Sequence, residues 1–280
     1  MPIVPREIEI GKSVCIGGFG SLFLIGGPCV IESEEHAFGM AESIKLICDD
    51  LNLPVIFKAS FDKANRSSLS SYRGPGLKEG LRILARIRRE LDLPILSDVH
   101  EPSQVEPAAE ILDVLQIPAL LCRQTDLLVE AARTGKPVNL KKGQFLSPRE
   151  MTNAVEKMVE QGNENLILTE RGTCFGYNNL VFDVRSIPIL KEMGFPVAVD
   201  ASHSNQQPGG EGKSSGGEAG FIPHIARAGI SVGADGVFME IHDRPAEALS
   251  DKHNSLNTND LKPLLQSLKR LRKALVRTKC

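Results

Sequence analysis

The chain has 280 residues, 41% of them hydrophobic and 24% charged, an ordinary globular balance with enough apolar material for a sizeable core. Its formal net charge of −2 offers no basic excess to drive counterion release, so neither a nucleic-acid nor a membrane partner is expected. No apolar run approaches the roughly 20 residues of a membrane span, and the first residues lack a basic-then-apolar leader, so a cytoplasmic protein is expected.

The chain opens with a short predicted hairpin, Glu7–Ile10 and Ser13–Ile16 around Gly11-Lys12, whose alternating apolar positions suit a cap over one mouth of a barrel. Short apolar runs then alternate with longer amphipathic stretches. Strands are predicted at Leu22–Gly26, Val55–Lys58, Ile95–Asp98, Val114–Ile117, Val138–Lys141, Leu166–Thr169, Val197–Asp200 and Gly236–Glu240. Helices are predicted near 34–51, 76–91, 103–111, 124–134, 148–161, 183–193, 218–232 and 259–277, the second showing helical spacing at Leu77, Leu81, Leu84 and Ile87. Pro54, Pro94, Pro137 and Pro196 each stop the helix before a strand.

Eight βα units in series, with near-continuous apolar strands, predict an α/β fold: one (β/α)8 TIM barrel over 1–280, its N-terminal hairpin lying within 1–20. A doubly wound open sheet would need a glycine fingerprint after its first strand, which Gly26-Gly27-Pro28 is not. Long loops follow strands 2, 7 and 8, at 60–76, 204–217 and 242–258. Gly209, Gly210, Gly212, Gly216 and Gly217 mark the second as a mobile lid by composition. The six cysteines form no CxxC pair, and five sit among apolar or small neighbours, as buried reduced thiols do.

Barrel chemistry sits at the C-terminal ends of the strands, where the βα loops converge. Every predicted strand end carries a polar group: Cys29; Lys58 with Lys63, Asn65, Arg66 and Ser67; Asp98 and His100; Gln116; Lys141 and Lys142; Glu170 and Arg171; Asp200 and His203; Glu240 and His242. The cations Lys58, Lys63, Arg66, Lys141, Lys142 and Arg171 would focus a positive field at one mouth of a nearly neutral protein, which suits phosphate. Cys29, His203, Glu240 and Asp251 supply a thiolate, an imidazole and two carboxylates, a donor set for Zn²⁺, Fe²⁺, Mn²⁺ or Co²⁺ rather than Mg²⁺ or Ca²⁺. Spacing alone does not bring those four together.

Several runs resemble the 3-deoxy-D-manno-octulosonate 8-phosphate synthase (2-dehydro-3-deoxyphosphooctonate aldolase) family. They are Lys58-Ala59-Ser60-Phe61-Asp62-Lys63-Ala64-Asn65-Arg66-Ser67-Ser68, Ser71-Tyr72-Arg73-Gly74-Pro75-Gly76-Leu77, Asp98-Val99-His100-Glu101-Pro102, Arg123-Gln124-Thr125-Asp126-Leu127, Lys141-Lys142-Gly143-Gln144-Phe145 and Glu170-Arg171-Gly172. The resemblance implies condensation of phosphoenolpyruvate with D-arabinose 5-phosphate and water in a homotetramer, a step of lipopolysaccharide synthesis. It implies that Lys58, Lys63, Lys141 and Arg171 hold phosphoenolpyruvate, and that Asn65, Arg66 and Ser67 hold the pentose phosphate, with Asp98 and Gln116 nearby. Arg123 is expected to act across a subunit boundary. Gly27-Pro28-Cys29 resembles the metal-dependent branch, which implies one divalent ion per subunit on Cys29, His203, Glu240 and Asp251. Lys63, Lys141, His203 and Asp251 are the expected catalytic groups, Lys141 and His203 for charge stabilisation and proton handling. After Asp251 the chain departs from the family with Lys252-His253-Asn254. Alternative readings are a related synthase using another aldehyde, such as erythrose 4-phosphate, and a non-catalytic sugar-phosphate-binding barrel.

Overall fold

The computed structural model describes residues 4–18, 22–66, 68–209 and 216–277. Eight parallel strands form the barrel: β1 (Phe23–Gly27), β2 (Val55–Lys58), β3 (Ile95–Asp98), β4 (Val114–Ile117), β5 (Val138–Lys141), β6 (Leu166–Glu170), β7 (Val197–Asp200) and β8 (Gly236–His242). Each pairs with the next, and β8 returns to β1 through Gly236↔Phe23 to Glu240↔Gly27, which closes the sheet. The helices outside are α1 (Glu34–Asp50), α2 (Leu77–Leu91), α3 (Val105–Ile111), α4 (Thr125–Arg133), α5 (Met151–Val159), α6 (Ser186–Lys191), α7 (Ile222–Ser231) and α8 (Thr258–Arg277).

The local reasons follow the sequence. Ser33 caps α1 by accepting from the His36 N–H. In α2 the stripe Leu81, Leu84 and Ile87 is buried, and Gly80 lies so close to the loop after β2 that a Cβ there would meet the Phe61 Cβ at 2.3 Å. The carbonyls of Pro54, Pro94, Pro137 and Pro196 each accept from an amide of the neighbouring strand, so a residue that stops a helix also begins the ladder. Side chains pointing outward from the strands form the larger core with the helices; those pointing inward form a second cluster with Phe23, Ile25, Ile56, Leu96, Ile167 and Phe238.

The hairpin Ile8–Ile10 and Val14–Ile16 joins that inner cluster through Ile8, Ile10 and Ile16, each at most 1% exposed, and so caps the N-terminal mouth. Among the described residues no helix is long and apolar enough to cross a membrane.

Several boundaries differ from expectation: β1 is shifted and β6 lengthened by one residue, and α7 is preceded by a 3-10 turn, Ala219–Phe221. β8 runs two residues further, to His242, because the short strand Leu256–Asn257 from the following loop pairs alongside Ile241 and His242. α6 is confined to Ser186–Lys191, since the preceding residues fold into a small hairpin pairing Thr173–Cys174 with Leu180–Val181. The helices expected to start at 103 and 148 begin as 3-10 turns, Pro102–Gln104 and Pro148–Glu150. The glycine-rich loop after β7 is paired where it is described, Gln206–Gln207 against Gly216–Gly217, while Gly210 and Gly212 lie outside the described residues. Cys29, Cys48 and Cys122 are buried, but Cys15 and Cys174 are exposed because each sits on the outward-facing side of a short hairpin; Cys280 lies outside the described residues.

Candidate active site

The strand ends surround a cavity of about 790 Å³ at the C-terminal mouth. Lys58, Lys63, Asn65, Arg66, Asp98, Gln116, Lys141, Arg171, His203 and Asp251 all line it, from six strand ends and the loop after β8. Cys29 and Glu240 lie just beneath, 4% and 0% exposed. Arg123 is exposed and is not among the lining residues, and Ser67 lies outside the described residues.

The floor carries the metal-type donors. Cys29 Sγ is 2.8 Å from Asp251 Oδ2 and 3.0 Å from Ser250 Oγ. His203 Nε2 stands 3.6 Å from Glu240 Oε1 and 3.7 Å from Asp251 Oδ2. Glu240 Oε1 accepts from Lys58 Nζ at 2.7 Å, while Oε2 is buried with no hydrogen-bond partner. Burial, and then the Asp251 charge, push the Cys29 thiol up to about 12. Burial would raise Asp251 as well, but His203, Lys63 and the Cys29 hydrogen bond hold its carboxyl well below the usual range.

Asp200 organises one wall. Its Oδ2 accepts from Lys141 Nζ at 2.7 Å and lies 2.8 Å from His203 Nδ1, while Oδ1 accepts from the His203 N–H at 2.8 Å. A proton held on Nδ1 by this carboxylate leaves the Nε2 lone pair facing Glu240 and Asp251. Burial lowers the Lys141 ammonium, with Asp200 opposing, and Lys141 Nζ sits 3.6 Å from the centre of the Phe238 ring.

A hydrogen-bond chain crosses the opposite wall strand by strand. Thr169 Oγ1 donates to Asn139 Oδ1, Asn139 Nδ2 to Gln116 Oε1, and Gln116 Nε2 to Asp98 Oδ1. Ser60 Oγ also donates to Asp98 Oδ2 at 2.8 Å, and Lys63 Nζ is 3.5 Å from the same oxygen. Burial alone would raise the Asp98 carboxyl; Lys63 and Lys58 outweigh it and keep it ionised.

Two guanidinium groups at the mouth each keep a buried nitrogen without a partner. Arg66 donates Nε to the Tyr72 carbonyl and leaves Nη2 free; Arg171 donates Nη2 to Gln206 Oε1 and leaves Nη1 free. Buried donors of this kind are what an anionic ligand would satisfy. Lys142, expected among the mouth's cations, is turned away. Its ammonium is fully buried and donates to the carbonyls of Gly143, Leu146 and Gly172 and to Thr173 Oγ1.

The model of the DAHP synthetase I family matches residues 6–277. The chain belongs to this family. Curated relatives named 2-dehydro-3-deoxyphosphooctonate aldolase include one from Geobacter metallireducens, 59% identical over 264 residues, covering 94% of this chain and 97% of the relative. Others, from Geotalea uraniireducens and Pelobacter propionicus, are each 57% identical with the same coverage.

In this member of the family, site residues not singled out from sequence are Gln206, Ser250 and Tyr72. Gln206 joins two parts of the site, accepting from Arg171 and donating Nε2 to Asp251 Oδ1 at 3.2 Å. Nothing in the local sequence marks it. A smaller hollow of about 320 Å³ lies between the N-terminal hairpin and α2, where Arg88 is already bound to both oxygens of Asp113.

Proposed function

We propose that the protein condenses phosphoenolpyruvate with D-arabinose 5-phosphate and water to give 3-deoxy-D-manno-octulosonate 8-phosphate and inorganic phosphate, in keeping with the name its relatives carry, 2-dehydro-3-deoxyphosphooctonate aldolase. The observation that carries this reading is one cavity holding Lys63, Arg66, Lys141 and Arg171 above a bed of carboxylates, enough positive charge to bring two anionic substrates together.

Lys63, Lys141 and Arg171 are assigned to the carboxylate and phosphate of phosphoenolpyruvate, with Lys58 beneath them. Asn65, Arg66 and Ser67 are assigned to the phosphate end of the pentose, and the ordered Asp98–Gln116 wall to its hydroxyls. In the reaction the methylene carbon of the enol phosphate bonds to the aldehyde carbon, and water oxygen bonds to the neighbouring carbon. The C–O bond to phosphate then breaks, leaving the new ketone and inorganic phosphate, while the aldehyde oxygen takes up a proton and stays on its carbon as a hydroxyl. Lys141 stabilises charge as it develops, and His203, oriented by Asp200, handles the proton.

One divalent ion per subunit, Zn²⁺, Fe²⁺, Mn²⁺ or Co²⁺, belongs to this proposal, held by Cys29, His203, Glu240 and Asp251. The residues fit such an ion. Donors each about 2.0–2.2 Å from one metal lie roughly 3.3–3.6 Å apart, close to the His203–Glu240 and His203–Asp251 spacings, and the orphaned Glu240 Oε2 gains a partner. When bound, the ion would polarise the aldehyde or activate water.

A homotetramer and a cytoplasmic location complete the reading. The exposed aromatics Phe145, Phe175 and Tyr177, on the loops after β5 and β6, offer apolar surface for subunit contact. The test is phosphate release from phosphoenolpyruvate with arabinose 5-phosphate or erythrose 4-phosphate, before and after chelation and Mn²⁺ or Zn²⁺ add-back. Preference for the pentose, lost on chelation and restored by metal, supports the whole proposal. Preference for erythrose 4-phosphate overturns the aldehyde assignment, and indifference to chelation overturns the metal.

A further inference from the structure

A second cluster of metal-type donors sits beside the site but outside its lining. Glu32 lies three residues beyond Cys29, His36 in the first turn of α1, and His242 at the end of β8, two residues beyond Glu240. Each offers a ligand atom within 4.8 Å of the other two. His242 is 3% exposed, and its Nε2 is buried without a hydrogen-bond partner, as is Nδ1 of His36.

The opposite ring nitrogens both face one carboxylate. Asp243 Oδ1 is 3.1 Å from His36 Nε2 and 3.1 Å from His242 Nδ1. This is the outer-shell arrangement in which a carboxylate takes the far N–H of a histidine whose near nitrogen binds metal. His242 Nε2 stands 3.4 Å from Glu32 Oε1, without hydrogen-bond geometry and close to the edge of about 3.3 Å expected of a tetrahedron with bonds near 2.0–2.1 Å.

We propose that Glu32, His36 and His242 bind a second divalent transition-metal ion of the Zn²⁺ class, with Asp243 orienting both histidines. Two imidazoles and one carboxylate suit Zn²⁺, Co²⁺ or Ni²⁺ and leave a position open to water. The Arg244 N–H now donates to His242 Nδ1 at 2.9 Å, which places the proton of the neutral ring on Nε2. Binding moves that proton to Nδ1, where Asp243 accepts it, and the amide of the exposed Arg244 gives up its bond. A neutral ring releases no proton in the exchange. Glu32 Oε1 also accepts from the Leu249 N–H at 2.8 Å, so the ion would fasten α1 and β8 to the loop that carries Ser250 and Asp251.

The test is anaerobic Co²⁺ titration of the metal-stripped full chain, followed by absorption. Thiolate ligation at Cys29 gives a charge-transfer band, whereas a histidine–carboxylate site gives only d–d bands. The expected result is two equivalents, one of them without thiolate character. His36→Ala and Glu32→Gln should each abolish the thiolate-free equivalent and leave the other. Asp243→Asn should weaken it about 10- to 100-fold. A single equivalent in the unaltered protein that carries the charge-transfer band, or a thiolate-free equivalent that survives both His36→Ala and Glu32→Gln, overturns the proposal. Absence of the charge-transfer band would instead sink the Cys29 assignment and leave the second site standing.

Discussion

Cys29 Sγ and Asp251 Oδ2 lie 2.8 Å apart although 222 positions separate them in the chain. The thiol donates to a carboxylate that His203 and Lys63 keep ionised against the effect of burial, so the two share one proton. Because the thiol is pushed up to about 12, a cation must displace that proton to use the sulfur. Metal uptake at this site should therefore release about one proton, from Cys29, and affinity should fall as pH falls. Indicator-monitored Zn²⁺ binding in weak buffer measures the proton, and Cys29→Asn should remove it. Equal release from that variant would rule out the thiol.

Arg66 holds the Tyr72 carbonyl through Nε and keeps Nη2 free at the cavity. Replacing it with Ala should raise KM for arabinose 5-phosphate by about 10- to 100-fold, the worth of a charged hydrogen bond, with kcat changed only a few-fold. Steady-state kinetics against each substrate separates the effects. An unchanged KM for the pentose would place its phosphate elsewhere.

Asp200 binds both Lys141 and His203, so Asp200→Asn should disturb a tautomer and an ion pair together. A fall in kcat of about 100-fold or more is expected, with KM for both substrates within a few-fold. Circular dichroism of the variant checks that the barrel survives. A kcat near that of the unaltered protein would remove the Asp200–His203 pair from proton handling.

Lys142 contributes to stability through the loops rather than to the mouth. Its ammonium binds three carbonyls and a hydroxyl from the loops after β5 and β6, with Glu170 3.7 Å away. Lys142→Met strands those acceptors and leaves the buried Glu170 without its ammonium neighbour, so a loss of about 3–5 kcal/mol is expected in urea unfolding. A loss well under 1 kcal/mol would mean that water replaces the ammonium.

Glu34, at the start of α1, pairs with Arg82 and Arg86, which hold its carboxyl at about 2 against an ordinary 4.5. A carboxyl lowered on folding stabilises fully above 4.5 and loses that contribution as pH falls from there through about 2. The stability gap between the unaltered protein and Glu34→Gln should thus close across that window. It should be small and shrink in salt, because the group is exposed. A gap independent of pH would point to packing instead.

Much of the barrel is legible in the sequence because its strands are buried on both faces and read as near-continuous apolar runs; β2, β3, β4, β5 and β7 match expectation to the residue. The end of β8 was not, since its last two residues are strand only by virtue of Leu256–Asn257, a partner supplied by a loop. Lys58, Lys63, Arg66 and Arg171 could be placed because a strand end dictates where a side chain emerges. The direction taken by Lys142 depends on carbonyls from two loops, which adjacent sequence does not encode. Gln206 and Ser250 went unnoticed for the same reason: their roles exist only once separate loops meet.

Ile8, Ile10 and Ile16 close the far end of the barrel with packed hydrocarbon. Among the described residues the cavity is therefore stoppered at that end and opens at the C-terminal mouth. Whatever reacts at its floor must depart by the route it came, past whichever ligand arrived later and lies nearer the rim. On the proposed reading, the reactant seated deeper would have to enter first and leave last, so traffic through this cavity would be sequential.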